Sequence, residues 1–152
     1  MTNATISEEI NKLANGPTNL ARRFNGYIIN DCRFCVNTID NNRTTQNSGV
    51  CLKAITMSYA SRKDKNPHVG AVYYYGRLID IIKVRYSNDT KYVLFKCDWI
   101  DNIRGMKEDV FKFKLVNFKQ LLYRDDHQNH ELFILASQAK QVWYVPNPLE
   151  PD

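Results

Sequence analysis

Tyr73-Tyr74-Tyr75-Gly76-Arg77-Leu78-Ile79-Asp80-Ile81-Ile82 is dense in aromatic and β-branched residues, the composition of a strand lying against a core. Two later runs answer it: Tyr92-Val93-Leu94-Phe95-Lys96-Cys97-Asp98-Trp99, and Phe133 through Ala136-Ser137-Gln138-Ala139 to Val142-Trp143-Tyr144-Val145. Leu78-Ile79 and Ile81-Ile82 are adjacent apolar pairs, as in a strand that is buried on both faces or carries a bulge. Ser87-Asn88-Asp89 supplies the turn that joins the first two runs into a hairpin.

Working outward, residues 26–36 and 49–56 read as further strands, and the polar stretches 38–48 and 58–69 read as loops, the second of them basic. Phe111, Phe113 and Leu115 alternate with Lys112 and Lys114, the period of a strand with one wet face. Residues 117–123 continue into another short strand or turn, residues 124–130 form a solvated loop, and the last strand, 141–145, stops at Pro146 and Pro148. The helix signal lies at the start. Thr5-Ile6-Ser7-Glu8 fits a capping box, Glu8 and Glu9 suit a helix N-terminus, and Gly16-Pro17 ends it, leaving Ile10, Leu13 and Ala14 as a small apolar face. The expectation is a mainly β protein: residues 1–15 as helix and linker, and residues 16–152 as one β-rich domain built as a small, partly open barrel or sandwich.

The chain has 152 residues, 43% of them hydrophobic, enough for one domain with a real core and too few for two well-developed ones. Four cysteines without a signal-peptide-like apolar stretch near Met1 imply a reducing compartment and free thiols, and no apolar run approaches the length of a membrane span. The formal net charge is +5, and residues 16–70 carry all of it: Arg22, Arg23, Arg33, Arg43, Lys53, Arg62, Lys63 and Lys65 outnumber Asp31, Asp40 and Asp64 by that amount. Such a local excess attracts phosphate backbones or an acidic partner; its simpler reading is a soluble basic surface.

Several words of the chain resemble one family. Leu13-Ala14-Asn15-Gly16-Pro17, Phe24-Asn25-Gly26-Tyr27, Arg33-Phe34, Thr45-Gln46-Asn47-Ser48-Gly49-Val50, Tyr74-Tyr75-Gly76, Leu94 to Trp99, Val116-Asn117-Phe118 and the Ala136 to Ala139 block are similar, in that order, to the C-terminal region of plant CACTA (En/Spm-type) transposon proteins, a domain of unknown function (DUF4216). The resemblance runs from about Leu13 to the end. It implies a transposon-derived accessory module in the nucleus, otherwise in the cytoplasm, lying downstream of a transposase part. It also implies that this chain is a short reading frame or an excised or decayed piece, because the family's proteins extend beyond both of its ends. Where that family commonly has histidine after Arg-Phe, this chain has Cys35.

Chemistry-bearing constellations are few. Cys32 and Cys35 form a C-x-x-C, but at that odd offset a strand sends the thiols to opposite faces, and Cys51 and Cys97 sit alone in apolar runs, so no metal site is expected. Asp125, Asp126, His127, His130 and Glu131 include an H-x-x-H without the apolar periodicity that would hold both rings on one helix face. Asp80, Asp98 and Asp101 raise the three-carboxylate, two-metal chemistry of transposases, but the resemblance puts that part upstream, and the three read more simply as turn or strand-end residues. Phosphate loops, nucleophile elbows and zinc-protease helices are missing from the sequence, so no catalysis, cofactor or small-molecule substrate is expected.

Two binding candidates remain. Arg22, Arg23, Arg43, Arg62, Lys63 and Lys65 form the expected nucleic-acid surface. Tyr73, Tyr75, Trp99 and Tyr144 are candidates for an aromatic cage or stacking platform at one barrel end, as in chromatin readers of the bromo-adjacent-homology kind or in SH3-like barrels, although strand alternation turns Tyr74 away from its neighbours and core packing is the simpler fate of such rings. The functional expectation is a non-catalytic module attached to DNA or chromatin, the alternative a docking or assembly domain for the transposase region, and the third an enzyme remnant around His127 and His130.

Overall fold

The computed structural model describes residues 3–18, 20–58, 63, 65–66, 68–87, 90–123 and 133–149. Its centre is a six-stranded antiparallel sheet. The 18-residue strand β5 (His68–Arg85) is the spine. Along one edge its first half pairs with β4 (Gly49–Ser58) and its second half with β1 (Ala21–Phe24), while β6 (Lys91–Trp99) takes the other edge from Gly76 onward. β9 (Phe133–Leu135) extends the sheet beyond β6, and β10 (Lys140–Gln141) extends it beyond β4. The protein is thus mainly β, as its composition predicts. The sheet is open, with β10 and β9 at its two ends.

The adjacent apolar pairs in β5 resolve as a bulge. Register passes from Leu78 opposite Cys97 to Asp80 opposite Lys96, so Ile79 is the extra residue. Leu78 and Ile81, three apart, therefore share one face, and both are fully buried there. The same face carries Val50, Phe95 and Trp99, and a second layer closes over it. That layer is a hairpin of β2 (Gly26–Ile29) and β3 (Cys32–Cys35), whose Phe34 meets Phe95 edge-on at a centroid distance of 5.0 Å.

Residues 26–36 are this hairpin rather than the single strand expected. Ile29 pairs with Cys32, and Asn30 and Asp31 between them have φ of 49° and 61°, the left-handed pair of a tight hairpin turn that Asn and Asp tolerate. The polar stretch after it is also more ordered than expected, with α2 (Asn37–Asp40) leading into the loop. Buried Asp40 holds that loop, accepting from the backbone N–H groups of Asn47 and Ser48 at 2.6 and 2.7 Å.

The N-terminal helix α1 spans Asn3–Ala14, so it starts two residues ahead of Thr5 and the capping-box segment lies inside it. Gly16, at φ 75°, ends it by donating to the Leu13 carbonyl, and Ile10 and Leu13 are exposed. Another correction falls at residues 111–115: strand β8 (Lys114–Val116), paired with β7 (Met106–Glu108), begins only after Phe113, and Phe111 and Phe113 stand exposed in the connecting loop. There Asp109 accepts from the N–H groups of Phe111 and Phe113, each at 2.8 Å, and Lys112 takes φ 69°. The closing run is likewise broken, into β9, a 3-10 turn at Ala136–Gln138 and the two-residue β10.

Candidate nucleic-acid interface

The β2–β3 hairpin has an inner face, with Tyr27 and Phe34 toward the core, and an outer face with Gly26, Ile28, Arg33 and Cys35. A groove of ≈ 650 Å³ is lined by these outer-face residues together with Phe24, Asn25, Tyr27, Ile39 and Arg43. Its chemistry is apolar with two guanidinium groups. Arg43 lies beside the Cys35 thiol, Nη1 to Sγ 3.9 Å, and Phe24 packs edge-on to Tyr27 at 5.5 Å. At Gly26 the two strands approach closely, since a Cβ there would stand 3.2 Å from the Phe34 carbonyl oxygen and 3.4 Å from the Cys35 sulfur.

Two more cations adjoin this groove. Lys83 Nζ stands 5.9 Å from the centroid of the Tyr27 ring, and Arg22 is the cross-strand partner of Lys83. Among the described residues no salt bridge engages Arg22, Arg33, Arg43 or Lys83. Two guanidinium groups lining the groove, with Lys83 over its Tyr27 ring and Arg22 paired with Lys83 across the ladder, give this side of the molecule a positive field.

The expected basic surface is thereby divided. Arg43 lines the groove, and Arg22 stands opposite Lys83 in the ladder. Arg23 alternates to the opposite face of the sheet, where its Nε lies 3.0 Å from Asp80 Oδ2. Lys63 and Lys65 are exposed near the far end of the β4–β5 hairpin, about 30 Å from the groove end of β4 at 3.3 Å per residue. Arg62 lies outside the described residues. Arg33 and Lys83 were not singled out as site residues from sequence; the hairpin turn that aims Arg33 outward is announced only by Asn30-Asp31.

The aromatic candidates are also separated. Trp99 is buried in the core face of β6, whereas Tyr73 and Tyr75 alternate to the outer face of β5. Tyr144 joins that outer face. Its hydroxyl donates to the Gly76 carbonyl at 2.8 Å, and the Gln46 side chain bonds both its N–H and its C=O. Its ring packs edge-on to Phe118 at 4.9 Å, and the Arg77 guanidinium covers Phe118 at 3.5 Å. This stack is filled by the protein's own arginine, so it is a packing cluster rather than an open cage. Burial raises the Tyr144 hydroxyl and the Cys51 and Cys97 thiols above their ordinary values, keeping all three protonated and the thiols unreactive.

The candidate carboxylates face cations instead of one another. Asp80 pairs with Arg23, Asp98 lies opposite Arg77 in the ladder, and Asp101 accepts from the backbone N–H groups of Ile103 and Arg104 and from the Arg104 guanidinium. Cys32 and Cys35 sit on opposite faces of β3, and all four cysteines are free thiols. Among the described residues no three His, Cys, Asp or Glu side chains are grouped to hold a metal; Asp125, Asp126, His127, His130 and Glu131 lie outside them. No helix among the described residues is long and apolar enough to cross a membrane.

No curated protein and no solved structure matches the chain. Residues 82–152 match the family model described as Domain of unknown function (DUF4216), so the similarity takes in β6 to β10 and leaves β1 to β3, which build the groove, outside it.

Proposed function

We propose that this protein is a non-catalytic attachment module for nucleic acid, and that Arg22, Arg33, Arg43 and Lys83 contact phosphates around the Phe24–Tyr27 groove. The observation that supports this reading is that Arg33 and Arg43 line a groove together with Phe24 and Tyr27, that Lys83 lies over the Tyr27 ring with Arg22 as its cross-strand partner, and that none of the four has a salt bridge among the described residues. Cationic grooves with aromatic walls hold single strands by phosphate contact and base stacking, at the cost of strong salt dependence. The transposon-derived, nuclear setting implied by the sequence resemblance belongs to the same proposal. So does a partly open barrel of the bromo-adjacent-homology or SH3 kind, supported by a long β5 that bulges and changes partner midway.

The test is a fluorescence-anisotropy titration of R33Q/R43Q against wild type across a salt series. Losing two phosphate contacts should weaken binding at low salt more than tenfold and flatten the slope of log K against log salt by about 1.4 on a single strand. Unchanged affinity and slope would remove the groove from the reading. A second reading, docking onto the transposase region of the same or a related protein, is supported by the ordered loop that presents Phe111 and Phe113 to solvent. Binding of that region insensitive to salt and abolished by F111S/F113S would favour it.

A further inference from the structure

Beyond Cys51 on one side and Gly76 on the other, β4 and β5 leave the sheet and continue as a two-stranded ribbon, with Leu52 to Ser58 paired against Tyr74 to His68. At 3.3 Å per residue it projects about 20 Å. Alternation puts Lys53, Ile55 and Met57 on one face with Val69, Ala71 and Tyr73. That face is open: Ile55 is 73% exposed, Met57 61% and Val69 66%. Lys53 lies over the Tyr73 ring, and Lys63 and Lys65 are exposed near the tip. Between Leu52 and Tyr74 the sequence has four cations and one acid, Asp64.

We propose that this ribbon enters the major groove of duplex DNA, an assignment that rests on the nucleic-acid reading above and gives it a second contact. Three properties fit that occupant. A two-stranded β-ribbon matches the roughly 12 Å width of the major groove, whereas the minor groove, about 6 Å wide, excludes it. Its 20 Å length covers about six base pairs at 3.4 Å rise. Its charge complements phosphates flanking the groove, while Ile55, Met57 and Val69 offer the apolar contact that thymine methyl groups accept. A second copy of the chain is the poorer occupant, because it would lay one cationic ribbon against another.

The intact chain tests this with a short duplex and a single strand of the same sequence, using two ribbon variants, I55S/M57S/V69S and K63Q/K65Q. The first changes only exposed side chains, and the second guards against a folding defect in the first. Saturating wild type should protect guanine N7, a major-groove atom, from dimethyl sulfate. I55S/M57S/V69S should restore that reactivity, and both variants should weaken duplex binding at least tenfold while single-strand binding stays within twofold. Reactive guanine N7 in the wild-type complex, or duplex affinity unchanged in both variants, would overturn the ribbon assignment while R33Q/R43Q still reports on the groove. Loss of both readings follows only if wild type binds neither DNA. A wild-type dimer dissociated by I55S/M57S/V69S would assign the ribbon to a second copy and overturn the proposal.

Discussion

Single atoms decide several features of this molecule. At Gly49 a Cβ would lie 2.0 Å from the Val142 carbonyl oxygen, because the chain leaving β10 crosses directly over β4 and Val142 N–H donates to the Gly49 carbonyl. Gly49→Ala must therefore push backbone apart, and we expect a loss of about 2 kcal/mol or more in urea unfolding, with Tyr144 displaced from the outer face. Wild-type stability in that variant would mean the crossing is looser than described. Asp101 gives a pH signature. Hydrogen bonds from Arg104, first its backbone N–H and then its guanidinium, and from the Ile103 N–H hold its carboxyl below the ordinary value. A depressed folded pKa contributes stability that is complete above the unfolded value, near 4, and is lost as pH falls through the folded one. Asp101→Asn should flatten the acid limb of the stability profile below about pH 4; superimposable limbs for the two proteins would refute the assignment.

Among the elements, the β2–β3 hairpin carries the proposed site. Phe34, 1% exposed, anchors it to Phe95, so Phe34→Ala should cost about 3–5 kcal/mol and weaken DNA binding together with unfolding. Intact binding by a folded F34A protein would place the site elsewhere. The strand content of β4, β5 and β6 was legible because those runs are long and β-branched, and the adjacent apolar pairs of β5 allowed either a strand buried on both faces or the bulge that the register shows. The hairpin was not, because its apolar residues run on through Asn30-Asp31 and only the left-handed φ values there reverse the chain. Phe111 and Phe113 misled for the opposite reason. Their alternation is that of a strand, but Asp109 captures their N–H groups locally before a ladder begins. Basic residues were visible as composition only. Which face each occupies depends on register, and one step separates Arg22, opposite Lys83, from Arg23, bound to Asp80.

At the scale of the whole molecule, the positive charge that the sequence concentrates in residues 16–70 is divided: Arg33 and Arg43 line the groove, with Arg22 beside Lys83 near it, while Arg23 pairs with Asp80 and Lys63 and Lys65 stand near the far end of the β4–β5 ribbon, about 30 Å away. Apart from Lys83, the cations at both places lie outside residues 82–152, which match the family model and include β6, the strand paired along the same spine. If the groove is a phosphate-binding surface, anisotropy titration of the intact chain against single-stranded DNA at low and near-physiological salt will show it. Four phosphate contacts predict micromolar or tighter binding at low salt, falling with a log–log slope of about −3. No binding at low salt, where such a surface is strongest, or an affinity that ignores salt, would contradict it.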